Sequence, residues 1–237
     1  MLDRTRLLLT LTLAVLSLSG SVVLPSAGHA QVAPGASLTV LRGTTAVLKA
    51  DGSPLSPAPN GLTLSINDQV STLSGAGALV TFFDGSEIEL GSDAAMIIRE
   101  MARQGAAVNI RIESIVGSSV HRVIQFTDPA SSYLIETPTT VAAVRGTELG
   151  HRRDPAGDVS VAVAEGTVEF PGVGQALGPG ERRWVTPNGT VLSGKFPLGS
   201  SLFNAVAEDV SSGGGEGQDR DKDEDKERER ARDRDRR

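Results

Sequence analysis

Few side chains in this sequence could move a proton or attack a substrate. There are three histidines and no cysteine. Ser118 and Ser119 stand beside His121, a grouping that could suggest nucleophilic chemistry. No nucleophile elbow surrounds them, and adjacent residues on a strand face opposite ways, so triad chemistry is not expected. His121 and His151 fall in different strands or loops without a His-x-x-x-His or cysteine spacing, which argues against zinc. Asp219, Asp221, Asp223 and Asp225 alternate like the ligands of a calcium loop. Basic residues sit between them, and the glycine and closing glutamate are missing. No catalytic, metal-binding or cofactor-binding residue is expected.

One polar motif stands out, Arg145-Gly146-Thr147. A guanidinium and backbone N–H groups could converge there on an anion. Alternatively, Arg145 is structural, pinned by a carboxylate such as Glu165 or by turn carbonyls, while Gly146 admits a close backbone approach. The second reading is preferred, because a lone arginine in a strand more often belongs to packing. On it, Arg145→Ala should cost about 1–3 kcal/mol if a buried partner is left unpaired. Arg152-Arg153-Asp154-Pro155 reads as an exposed loop.

The elements that must position these residues read as strands. Glycine is abundant at 27 residues, aromatics make up only 3%, and Val, Ile and Thr recur in short alternating runs, so many brief strands with tight turns are expected. From Asp158 to Phe170, Val159, Val161 and Val163 alternate, Glu165-Gly166 interrupts, and Val168 and Phe170 resume. This predicts a hairpin with Val163 facing Val168 and Val161 facing Phe170. A second hairpin is predicted from Gly77 to Leu90. A three-residue loop, Phe83-Asp84-Gly85, would pair Phe82 with Ser86, Val80 with Ile88 and Ala78 with Leu90.

Further strands are expected within Leu38 to Leu48, from Leu62 to Ile66, Met96 to Met101, Val108 to Val116, Val120 to Phe126 and Tyr133 to Thr137. Asp51 to Gly61 reads as a loop, and Thr127-Asp128-Pro129-Ala130 as a turn. A strand carrying Trp184 lies between the Gly178-Pro179-Gly180 and Pro187-Asn188-Gly189 turns, and Ser200-Ser201 could cap a helix from Leu202 to Val210. The expected fold class is all-β: short antiparallel strands forming a β-sandwich or β-roll-like domain.

Several of these segments together resemble FecR-like domains. The later half of the resemblance is carried by Thr137-Pro138, Val141 to Thr147 with its Arg145-Gly146-Thr147, the Glu165-Gly166 step, and Gly178-Pro179-Gly180-Glu181. The earlier half is carried by Asp68 to Thr72 and Phe83 to Leu90. The match spans about residues 60 to 185. Leu149-Gly150-His151 departs from the longer apolar alternation usual there, which points to an early end for the strand after the motif. The resemblance marks Pro138, Arg145, Gly146, Thr147, Glu165 and Gly166 as family-motif positions of structural role. It also implies a place in the cell envelope, since the best-known members are periplasmic regulators between an outer-membrane transporter and a sigma factor.

The termini bound that implication. Arg4 and Arg6 precede an apolar run from Leu7 to Leu18, and Ser26-Ala27-Gly28-His29-Ala30 offers small residues for cleavage, which is secretory signal organisation. A membrane span needs about 20 apolar residues, so no transmembrane segment is expected once the signal leaves; the alternative is that the run stays uncleaved as an anchor. The formal charge then moves from −6 to −7, as two arginines and one aspartate depart. No cytoplasmic segment is expected before the apolar run, so a relay across the inner membrane in the namesake's manner is not expected either. The domain plan is therefore a signal peptide over 1–30, a β-rich domain over 31–210 and a disordered charged tail over 211–237. The tail's near-balance of acids and bases makes it a poor nucleic-acid arm. The expected function is an exported, periplasmic or extracellular, noncatalytic binding or scaffold module for an envelope protein or glycan. The alternative is a sensor component of transporter-linked signalling.

Overall fold

The apolar alternation that predicts strands is broken into short phases, and the architecture follows from how those phases are joined. The computed structural model describes residues 34–207, which contain fourteen strands and one short helix. The expected signal peptide, the tail and the end of the expected helix lie outside the described residues. The first strands are β1 (Ala36–Arg42), β2 (Thr45–Leu48), β3 (Pro54–Leu55), β4 (Thr63–Leu64) and β5 (Gln69–Thr72). Then come β6 (Gly77–Phe82), β7 (Glu87–Leu90), β8 (Ala95–Gln104) and β9 (Ala107–Arg122). The later part holds β10 (Ser132–Glu136), β11 (Val141–Arg153), β12 (Val159–Glu169), β13 (Glu181–Val185), β14 (Val191–Lys195) and the helix α1 (Leu202–Ala207).

The strands form one winding sheet ordered β14-β13-β12-β11-β10-β9-β7-β6-β1-β4, with β8, β5, β2 and β3 leading off β9. The sheet wraps around a core in which Leu38, Val70, Ile88, Ile98, Ile110, Ile112, Ile135, Leu149 and Val163 are buried. Each such side chain contributes about 1.5–3 kcal/mol on leaving water. A smaller cluster lies on the opposite face of the late strands. There Leu202 and Val206 of α1 pack with Val120 and Ala162. A Cβ on Gly150 would stand 2.9 Å from the Leu202 carbonyl oxygen, so the absence of a side chain there seats the helix.

β9 anchors the topology because it exchanges both neighbours along its length. Its first part pairs with β8 and, in parallel, with β10; its last part pairs with β7 and β11. β11 does the reverse, leaving β10 after Val144 and joining β9 from Glu148. The inward-facing residues change parity at each transition: Ile110 and Ile112 give way to Ser119 and His121 in β9, and Ala142 and Val144 to Leu149 and His151 in β11. A one-residue phase change within a continuous strand is what a β-bulge produces.

The Gly77 to Leu90 hairpin forms as its sequence predicts. Ala78 pairs with Leu90 and Val80 with Ile88. Phe82 N–H donates to the Ser86 carbonyl at 2.9 Å, and Gly85 has φ +96°. The Asp158 to Phe170 hairpin does not form. β12 is one continuous strand, and Glu165-Gly166 is a bulge inside it. Nor does the strand after the motif end early, since β11 runs on to Arg153 and pairs along its length with Val159 to Val163. A short strand, β3, lies within the expected Asp51 to Gly61 loop.

Candidate functional site

The Arg145-Gly146-Thr147 motif sits where β11 changes partners, and it bulges together with Glu165-Gly166 of β12. Arg145 pairs with Thr167, Glu148 with Glu165 and Leu149 with Val163, so each strand gains one residue and the register is restored. Gly146 has φ +61° and Gly166 φ +79°, a region that side-chain-bearing residues rarely occupy. A Cβ on Gly166 would lie 2.3 Å from the Gly146 carbonyl oxygen, so the two backbones approach this closely because Gly166 has no side chain; a Cβ on Gly146 would instead meet Gln125. Buried Thr147 holds the crossing. Its Oγ1 donates toward the carbonyls of Arg145 and Thr167, at 3.2 and 3.0 Å, and accepts from Thr167 N–H at 3.3 Å. Its backbone exchanges hydrogen bonds with Val123, which ties the corner to the chain beyond β9.

Arg145 is exposed. Its Nη2 donates to the Asp128 carbonyl at 3.1 Å, so the turn-carbonyl partner is the one present and Glu165, also exposed, does not hold it. Pro138 is exposed in the β10–β11 turn, which Thr137 and Thr140 close with hydrogen bonds of 2.9 and 3.0 Å. The six motif residues therefore fall into two groups. Arg145, Gly146, Thr147, Glu165 and Gly166 build one corner, and Pro138 stands apart at a turn.

Two open depressions flank that corner and share Gln125 and Gly146. One, of about 370 Å³, is walled by Arg122, Ile124, Thr147, Glu148 and Glu165. The other, of about 500 Å³, lies where β10 and β11 part, with Ser131, Ser132, Arg145, Thr167 and Glu169 on its walls. Arg122 spans the first by reaching Glu89 at 3.5 Å and Glu148 at 3.2 Å. Arg145 has no ion-pair partner among the described residues. Nothing local in the sequence marks Gln125 and Glu169 as neighbours of the motif.

The histidines form a second cluster, beneath the same region but inside the core. Ser119 and His121 are two apart on β9 and share a face, which corrects the expectation that the serines and His121 diverge. Ser119 Oγ lies 2.9 Å from His121 Nε2, and Tyr133 Oη lies 2.8 Å from His121 Nδ1. The rings of His121 and His151 meet edge to face at 6.2 Å. Both histidines are only 1% exposed. Neither ring nitrogen of His151 has a hydrogen-bond partner. Burial pushes His121 well below the ordinary histidine value, with His151 adding to the effect. Burial, then Arg153, brings His151 down to about 4. Burial also drives Tyr133 well up, so its hydroxyl stays protonated.

Nucleophile, base and orienting hydroxyl thus stand at hydrogen-bond distances, as in a catalytic relay. The space beside Ser119 and His121 is about 10 Å³, room for roughly one water and too little for an acyl group. Ser119, His121 and Tyr133 satisfy one another inside the core, while His151 packs its ring against His121 with both nitrogens unpartnered. No group of three or more His, Cys, Asp or Glu able to hold a metal occurs among the described residues.

Asp68, from the earlier half of the resemblance, also has a structural task. Fully buried, it accepts from the Ala50 and Ser65 N–H groups at 2.9 and 2.8 Å and pairs with Lys49.

Residues 68–169 match the family described as FecR protein, from this aspartate to the last residue of β12. The chain is also similar to two crystal structures of a candidate anti-sigma factor from Parabacteroides distasonis, at 21% identity, with TM-scores of 0.46 and 0.47. The similarity covers 55% of this chain and 60% of the other, so the chain spans about 60% of the length of the solved structures it matches. No curated protein matches the sequence.

Proposed function

Because the chain is FecR-like over residues 68–169, we propose that it is an exported, noncatalytic binding module that contributes to envelope regulation by holding another envelope component. The observation that carries this reading is the contrast in access. The polar corner at Arg145 to Thr147 opens into depressions of about 370 and 500 Å³, whereas Ser119, His121 and His151 are sealed in the core. A surface with an unpaired cation and no accessible proton-transfer pair suits recognition better than turnover. The secretory organisation of residues 1–30 supports an exported location, and mass analysis of the mature amino terminus from periplasm and medium tests it.

Photo-crosslinking from positions around Gln125 and Thr167 in intact cells is the test of binding. A discrete crosslinked partner, with and without residues 211–237, is expected; background labelling alone overturns the proposal. The family match favours a second reading, a sensor component in transporter-linked sigma-factor signalling. A deletion strain with unchanged sigma-dependent transcription would exclude it.

A further inference from the structure

The β10–β11 ladder ends at the rung joining Tyr133 and Val144. Beyond it β11 bulges away toward β12 and β9, and the start of β10 stays with β9. The two strands therefore part like the arms of a wedge, and the 500 Å³ depression is the space between them. Backbone segments bound this space: Ser131 to Leu134 on one side and Ala143 to Gly146 on the other. An extended chain can add to a strand edge that lacks a neighbouring strand, and β10 and β11 share no rung beyond Tyr133 and Val144.

The polar side chains narrow the choice further. Arg145 is held by one hydrogen bond to Asp128, leaving most of its five N–H donors available, and it is exposed on the wall. Glu169 is exposed on the same wall, and its strand neighbour Thr167 pairs directly with Arg145. The wedge thus offers one cation and one anion about one diagonal step apart. A phosphate dianion would meet a single guanidinium and a nearby carboxylate, which is poor complementarity. A glycan would find no exposed aromatic platform, because Tyr133, the wall's aromatic residue, is buried and its hydroxyl is engaged by His121.

We propose that this wedge takes an extended peptide segment carrying an acidic and a basic residue two positions apart, the acid bound by Arg145 and the base by Glu169. The assignment rests on the binding-module reading and adds the class of partner and its docking site. Residues two apart on an extended chain point to the same side, so both charges reach the same wall.

The test titrates isotope-labelled full-length protein with the peptide Ser-Val-Glu-Thr-Lys-Val-Ser and three relatives: acid replaced by Ala, base replaced by Ala, and the two charges exchanged. The expected result is saturable amide shifts at Gly146 and Thr167 with the parent peptide and at least tenfold weaker binding when its acid is lost. Arg145→Glu should abolish parent binding and favour the relative lacking the acid, Glu169→Lys should weaken the parent peptide and favour the relative lacking the base, and the double variant Arg145→Glu with Glu169→Lys should gain binding of the exchanged peptide. Thermal melts verify that each variant is folded. No perturbation by any of the four peptides at millimolar concentration overturns the proposal. Equal binding of malonate or inorganic phosphate also overturns it, as evidence of a simple anion site. Crosslinks to an envelope partner that persist in Arg145→Glu would sink the wedge assignment while leaving the binding-module reading intact.

Discussion

The corner at Arg145 to Thr147 and the cluster of Ser119, His121, Tyr133 and His151 adjoin, yet they treat polar groups in opposite ways. At the corner the polar side chain is exposed and the backbone is constrained: two glycines with positive φ touch, and a buried threonine holds the crossing. In the core cluster the strands are regular and the side chains are constrained, with Ser119 and Tyr133 clamping His121 from both ring nitrogens. The lesson is that pairing and access are separate conditions for function. His121 in the cluster has pairing without access, and the corner has access with an unpaired charge. Substitutions at the corner should therefore act through backbone strain or through binding, and substitutions in the cluster through stability alone.

The sharpest way to break the comparison is at the backbone contact. Gly166→Ala would drive a methyl into the Gly146 carbonyl oxygen, 2.3 Å away, at a φ of +79°. A loss of about 3 kcal/mol is expected, from left-handed strain plus a clash that only main-chain movement relieves. Gly146→Ala meets the Gln125 side-chain end at 2.2 Å, which can swing aside, so about 1–2 kcal/mol is expected. Urea unfolding of the two variants decides the point; equal losses would mean that the backbones do not touch.

Acid should select the cluster. A histidine with a folded value of about 4 and an ordinary value of 6.5 binds its proton more tightly in the unfolded chain. Stability is therefore intact above about pH 6.5, falls as the pH drops toward 4, and loses nothing more from this residue below that. The loss from His151 is about 3 kcal/mol at 1.36 kcal/mol per unit, and His121 adds to it in the same direction. The charged groups nearby offer no relief. Arg153 lies on the same strand and face, and Arg183 lies across Val161 on β13; both are cations. Asp84 acts on Tyr133 and pairs with neither ring. His151→Leu should flatten the profile between pH 6.5 and 4 in unfolding experiments at fixed salt. An unchanged profile would place the acid sensitivity elsewhere.

His121→Leu should cost about 2 kcal/mol at neutral pH, because it strips the partner from two buried hydroxyls at once. Adding Tyr133→Phe to that variant should recover part of the loss by removing one of the stranded groups. A double-mutant cycle with no coupling would contradict the network.

How much of this was legible in the sequence differs between the two regions for a physical reason. The Gly77 to Leu90 hairpin was readable because turn chemistry and alternation agree within fourteen consecutive residues. The Asp158 to Phe170 stretch was misread because a two-residue turn and a one-residue bulge leave the same local pattern. Inward valines move from odd to even positions across Gly166 in either case. What separates them is Gly146, a distant residue whose own bulge matches, and no local pattern shows that. The Ser119 and His121 spacing of two was visible and does place them on one face. Tyr133 and His151 join them only through the parallel β9–β10 and antiparallel β9–β11 pairings, which the sequence does not spell out.

Arg145→Ala gives the smallest expected effect on stability and separates the regions most cleanly. A buried partner would make the loss about 1–3 kcal/mol. In the structure the guanidinium is exposed and makes one 3.1 Å hydrogen bond to a turn carbonyl that water can replace. The expected loss is therefore about 0.5 kcal/mol, a fall of about 1–2 °C in Tm. Crosslinking and peptide binding, by contrast, should collapse. A large drop in Tm with partner binding retained would mean that the arginine holds the corner together and that the opening beside it is incidental. The reverse outcome makes the corner a scaffold whose charge is kept for contact, built by Gly146, Thr147 and Gly166 so that Arg145 is free to face outward.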